Sequence, residues 1–164
     1  MQIQSGVNLF DLKAVRYQYP DIIDNEDDSN WLRIDVVATA DSGSWSFSAP
    51  CLLNWEAIAI ADFFENLADG TASARGVGFL EPNLYFTKNE QNDLLIHFDC
   101  ESVPSWFESS AEVPVFIMQF EMSPASLRRA ATELRKQLEL VPLRAGAVAK
   151  KPLRCSDLPV IHID

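Results

Sequence analysis

Apolar side chains recur along this chain in two rhythms, every second residue over most of its length and every third or fourth residue in two stretches. The first rhythm is that of a half-buried strand and the second that of an amphipathic helix. In residues 9–19, LFDLKAVRYQY, the set Phe10, Leu12, Ala14 gives way to Val15, Tyr17, Tyr19. The change of phase predicts a bulged strand. Leu32, Ile34, Val36 and Ala38 alternate with polar positions in WLRIDVVATA, and the two strands read as a hairpin joined by a long acidic loop. The DSG turn at 41–43 leads into SWSFSA, where Trp45, Phe47 and Ala49 oppose three serines. That is a third strand with one wet face.

Asn54 is the expected cap of a first helix, whose apolar set is Ile60, Phe63, Phe64 and Leu67 and which Gly70 closes. A small-residue linker, ASARGVG, precedes FLEPNLYF, in which Pro82 predicts two short strands or one bent strand. After the turn at 89–93, LLIHFDCE places Leu94, Ile96, Phe98 and Cys100 on one face and His97 on the other. VFIMQFEM is apolar on both faces and reads as a central strand covered on both sides. Ser123 and Pro124 form a cap and first helical position. Leu127, Ala131, Leu134, Leu138 and Val141 make the apolar stripe of the second helix, which Pro142 stops. This order predicts an α+β fold, an antiparallel sheet of about six to seven strands with two packed helices. Residues 1–144 form the expected domain. Residues 145–164 are read as a tail whose PVIHID end can add an edge strand.

Composition supports one core. The 164 residues are 48% hydrophobic, and 10 Phe, 4 Trp and 3 Tyr supply bulk. No apolar run approaches the roughly 18–20 residues that a membrane span needs. The first ten residues lack the basic start and apolar run of a signal peptide, so a cytoplasmic protein is expected. Cys51, Cys100 and Cys155 are odd in number and widely spaced, which suits reduced thiols better than a disulfide framework.

Charge changes the picture most. The net charge is −11, and residues 1–123 hold 20 of the acids but only 5 of the bases. Such a body repels nucleic acid and attracts a basic protein; solubility alone is the plainer account. The density peaks at DNEDDSNW, where Asp24, Glu26, Asp27 and Asp28 precede Trp31. A calcium loop starting at Asp24 fails twice, because Ser29 stands where glycine makes the sharp turn and Asp35 where a bidentate glutamate closes the site. A solvated turn and a docking surface remain, with Trp31 either packed or a partly exposed anchor.

Other chemistry finds little footing. His97 and Cys100 lie three apart on a strand and diverge, so neither a thiol–imidazole pair nor a zinc site forms there. Cys51, before a helix start, lacks a nearby base. Glu56, Glu81, Asp99 and Glu101 can converge across strands as a general acid–base pair, though no motif marks a dry cleft. GVG at 76–78 lacks the spacing of a phosphate loop. Arg128, Arg129, Arg135 and Lys136 form a charged solvent face that complements the acidic body. No catalytic, cofactor-binding or metal residue is assigned.

Several phrases together, YQYPD with DDSNWLRI, then LLNWE, FLEPNLYF, ESVPSW and LELVPLR, carry a resemblance over residues 9–144. The chain resembles the WapI-type immunity proteins, which accompany contact-dependent toxins whose C-terminal domains include tRNA nucleases. The resemblance implies a non-catalytic cytoplasmic protein that binds a cognate toxin domain. It transfers no site residue; Trp31, Glu81, Pro82 and Asn83 match recurrent phrases that suit fold determinants equally well. The combined expectation is a binder that offers carboxylates to a basic toxin domain, with Asp24, Glu26, Asp27, Asp28 and Trp31 as contacts. The alternatives are an acidic module for another protein and a small carboxylate-dependent hydrolase.

Overall fold

The computed structural model describes residues 1–73 and 75–144 and the backbone of 153–154. The strands are β1 (Gln2–Ser5), β2 (Asn8–Tyr17), β3 (Trp31–Ala40), β4 (Gly43–Leu53), β5 (Gly76–Gly78), β6 (Leu84–Lys88), β7 (Leu94–Phe98), β8 (Phe116–Phe120) and the two-residue β9 (Leu153–Arg154). Helix α1 spans Asn54–Ala68 and α2 spans Pro124–Leu138. The fold is α+β and every paired strand is antiparallel, but the single sheet expected from the sequence is two. β1 to β4 form one sheet in sequence order; β5 to β8 form a second of four strands, with β9 beside β5. α1 carries the chain out of the first sheet, so β5 starts a new ladder instead of extending β4.

The two sheets and both helices share one core. Phe10 of β2 stands edge-on to Phe86 and Phe98 of the second sheet, with centroids 6.0 and 5.9 Å apart. Phe64 of α1 meets Phe86 at 5.7 Å. Leu127, Ala131, Leu134 and Leu138 of α2 are buried, as is Val141 beyond the helix end. Buried area of this kind is the main favourable term in folding.

Local readings hold where the chain decides them and shift where neighbours do. The bulge in β2 falls between Ala14 and Arg16. Ser123 caps α2 by accepting from the Ser126 N–H at 3.1 Å. Asn54 does not cap α1. Leu53 is the capping position, Asn54 is the first helical residue, and its buried amide donates to the Val141 carbonyl. The linker 72–78 contains β5, whose two glycines left no alternation to read. β8 is an edge strand, not a central one, and the outward side of Ile117 stays exposed. Cys100 leaves the apolar face because β7 ends at Phe98; it opens a short 3-10 turn at φ +51 and is exposed. His97, read onto the face opposite Leu94, Ile96 and Phe98, is 3% exposed. The PVIHID segment lies outside the described residues.

Candidate functional site

The acidic stretch is the connection between β2 and β3, and it is a built loop. The Asn25 carboxamide oxygen accepts from the Asp27 and Asp28 N–H groups at 3.0 and 2.8 Å, an Asx turn that opens a 3-10 turn over Asp28–Asn30. Asn30 is fully buried; its Nδ2 donates to the Glu26 carbonyl at 2.8 Å, and its Oδ1 accepts from the Arg144 N–H at 2.9 Å. The Arg144 guanidinium donates to the carbonyls of Tyr19 and Ile22 at 3.2 and 2.6 Å and lies 3.6 Å from the centroid of the Tyr17 ring. A backbone segment from beyond α2 thus fixes a loop near the start of the chain. Asp24 is exposed, and Glu26, Asp27 and Asp28 are half-exposed. Trp31 is half-buried at the head of β3, where its carbonyl accepts from the Gln18 N–H at 2.7 Å.

A second pair of loops carries further carboxylates. Glu56, in the first turn of α1, is 5% exposed. Its Oε2 accepts from the Leu53 N–H at 2.8 Å and its Oε1 from the Leu80 N–H at 2.7 Å. One buried carboxylate therefore satisfies a free helix-start donor and clamps the β5–β6 connection to α1. Burial holds the Glu56 carboxyl above the usual range against these two hydrogen bonds, and the charges of Glu81 and Asp27 push the same way. The nearby Asn83 is buried. Its carbonyl accepts from the Asp99 N–H at 3.0 Å and from the Ser102 hydroxyl, while its Nδ2 donates to Glu101 at 2.9 Å. Asp99 caps the 3-10 turn by accepting from the Cys100 N–H at 2.6 Å.

Three loops are thereby brought into electrostatic reach of one another. Glu81 and Glu101 are exposed; burial first, and then the charges of Glu56, Glu81 and Glu101, push the Cys51 thiol up to about 12. Asp27, Glu81 and Glu101 thus each act electrostatically on Glu56 or Cys51, beside the start of α1. Of the residues expected to bind a partner, the structure gathers Glu26, Asp27 and Asp28 on one pinned loop and leaves Asp24 at its exposed start. Asn30, Glu56 and Arg144 hold this arrangement and were not assigned from sequence. The polar residue before a strand was the one available signal for Asn30, and Arg144 offered none.

The other chemistries stay weak in three dimensions. Among the described residues no three His, Cys, Asp or Glu side chains are placed to hold a metal ion. Both thiols that fall among the described residues have raised pKa values, the opposite of an activated nucleophile. The depression lined by Phe63, Asn66, Thr71, Ala72 and Ser73 contains no titratable group. No described helix is long and apolar enough to cross a membrane. The basic face of α2 is partly consumed by α1: Arg128 meets Asp69 at 2.6 Å, and Arg135 meets Asp62 at 2.6 Å and Glu65 at 2.8 Å.

Compared with known families, residues 1–142 match the model of the Immunity protein WapI-like family. No curated protein and no solved structure matches the chain.

Proposed function

The chain belongs to the WapI-like immunity protein family, and from that premise we propose that it neutralises a basic toxin domain by covering its cationic site with the acidic loop surface. Membership gives the general role, protection against a cognate toxin. The finer reading is that the toxin domain is a nuclease acting on tRNA and that the encounter takes place in the cytoplasm. A nuclease that grips phosphates needs a cationic site. Carboxylates presented on a fixed surface occupy that site without any catalysis by this chain. The partner on this reading is a protein, with neither nucleic acid nor membrane nor cofactor taking part.

The observation that carries the proposal is the anchoring of the acidic loop. Asn30 and Arg144 fix its backbone, so Glu26, Asp27 and Asp28 are presented without the ordering cost of a free loop. Glu81 and Glu101 extend the same potential. Plain solubility does not require carboxylates on so tightly held a segment.

The test uses the cognate toxin domain and a variant with Asp24, Asp27 and Asp28 changed to Asn and Glu26 to Gln. Steering of this kind raises association rates by roughly 10- to 1,000-fold. The variant should fold normally and associate about tenfold more slowly at low salt, with a shallower salt dependence. Equal rate constants for the two proteins, both insensitive to salt, would show that the loop does not meet the toxin.

A further inference from the structure

Among the described residues the first sheet has an open edge: β4 has β3 on one side and no strand on the other. The ladder tells which of its backbone groups face outward. Leu12 exchanges both backbone bonds with Met1, at 2.9 and 2.7 Å, so it turns away from β3. The Trp31 carbonyl accepts from Gln18, so Trp31 turns away from β4. In an antiparallel pair alternate residues face the same neighbour. Leu32, Ile34, Val36 and Ala38 therefore face β4, and the last three meet Ala49, Phe47 and Trp45. The intervening Ser44, Ser46 and Ser48 turn their N–H and C=O groups to the open edge.

Among the described residues, the one contact with these groups is the Arg33 guanidinium, 3.5 Å from the Ser48 carbonyl. Other sheet margins are treated differently. The Gln2 N–H at β1 donates to Glu133 at 3.1 Å, the Gln119 carbonyl at β8 accepts from Asn8 at 3.0 Å, and β9 lies beside β5. Residues 43–49 contain no charge and no proline, devices that usually protect an edge strand; within β4 those devices, Pro50 and the bulge beside it, come only after this stretch. One rim of the edge is apolar: Trp45, Phe47 and Ala49 are half-buried, and exposed Trp106 packs on Trp45 at 5.8 Å. The other rim is polar, with Ser44, Ser46 and Ser48 exposed, the Arg33 guanidinium 3.4 Å from the Ser48 hydroxyl, and the exposed carboxylates of Asp35 and Asp41 on the same strand pair.

We infer that an extended segment of the toxin domain adds a fifth strand along Ser44–Ser48, with apolar side chains over Trp45 and Phe47 and small or basic ones beside the serines. The inference rests on the toxin-binding reading above and names the backbone surface that such binding uses. Main-chain pairing supplies the hold and the two rims supply the choice of side chain. A second copy of this chain is the rival occupant. It brings the same net charge of −11 and its own Asp35 and Asp41, whereas a cationic toxin segment brings the complementary charge.

Ser46→Pro removes the central outward N–H and leaves every β3–β4 bond in place, and Ser46→Ala keeps the backbone intact. With the cognate toxin domain as probe, Ser46→Pro should weaken binding by about tenfold or more, and Ser46→Ala by less than about twofold. Amide exchange on the wild-type complex should show Ser44, Ser46 and Ser48 newly protected, a readout that stands even if the proline variant folds poorly. Toxin binding that is unchanged in a folded Ser46→Pro, or unprotected serine amides in the complex, overturns the added strand while leaving the toxin-binding role intact. A wild-type chain that does not bind the toxin domain overturns both. Self-association that Ser46→Pro abolishes, with toxin affinity unaltered, assigns the edge to a second copy and overturns the inference.

Discussion

Replacing Glu56 by alanine tests whether one buried carboxylate organises this end of the molecule. The side chain is 5% exposed and accepts from the Leu53 and Leu80 N–H groups at 2.8 and 2.7 Å. Alanine removes both acceptors. A buried donor left unpaired costs about 1–3 kcal/mol, which applies in full to the buried Leu53 N–H. The Leu80 N–H is part-buried in an exposed residue, where water offsets part of its loss, so two full costs, roughly 6 kcal/mol, are an upper figure, from which the desolvation of the charged carboxylate, no longer incurred in the variant, is subtracted. A net loss of about 2–4 kcal/mol remains, corresponding in a chain of this size to a melting point roughly 4–16 °C lower. Urea unfolding followed by tryptophan fluorescence should show a lower midpoint at an unchanged slope. Glu56→Gln keeps one carbonyl acceptor and should fall between the two. Amide exchange should locate the damage at Leu53 and Leu80. An alanine variant within about 0.5 kcal/mol of wild type would refute the clamp, since surface substitutions without structural role fall in that range.

Two further outcomes follow from the same geometry. Arg144→Ala removes the bonds to the Tyr19 and Ile22 carbonyls and the stacking on Tyr17; it should expose residues 19–30 to limited proteolysis, and Arg144→Lys should not restore resistance, because an ammonium cannot reproduce the planar fork. His97 is buried, its Nδ1 has no hydrogen-bond partner, and desolvation lowers its pKa from 6.5 to about 4. A folded pKa below the unfolded one means that the unfolded chain binds more protons, so this contribution is intact above pH 6.5 and lost as pH falls towards 4, about 3 kcal/mol in all. Urea midpoints of wild type and His97→Gln compared across that window should converge on acidification, and parallel curves would count against the assignment.

How much was legible can be traced residue by residue. Phe10, Leu12, Leu32, Ile34, Val36 and Ala38 were assigned to a buried face from alternation alone, and all are buried. The bulge in β2, the cap at Ser123 and the apolar stripe of α2 were equally local signals. Each depends on a neighbour within about four positions, where the pleat of a strand or the turn of a helix dictates which side chains share a face. Cys100 was misplaced because alternation was carried past the end of β7, and the burial of His97 was not legible because burial of a polar position depends on what lies over it.

The sequence by itself therefore determined the strand faces, the two helices, the acidic excess and the family resemblance, since these reside in local order and composition. Only the tertiary structure decided that the strands divide into two sheets and that, among the described residues, β8 is an edge and β4 stands open, because a half-buried strand has the same alternation whichever neighbour it pairs with. Contacts that span long loops decided the rest. Glu56 reaches Leu80, Asn83 reaches Glu101 and Arg144 reaches Tyr19 and Ile22 only once the core has brought their elements together. The acidic loop owes its charge to its own residues and its fixed position to side chains far along the chain.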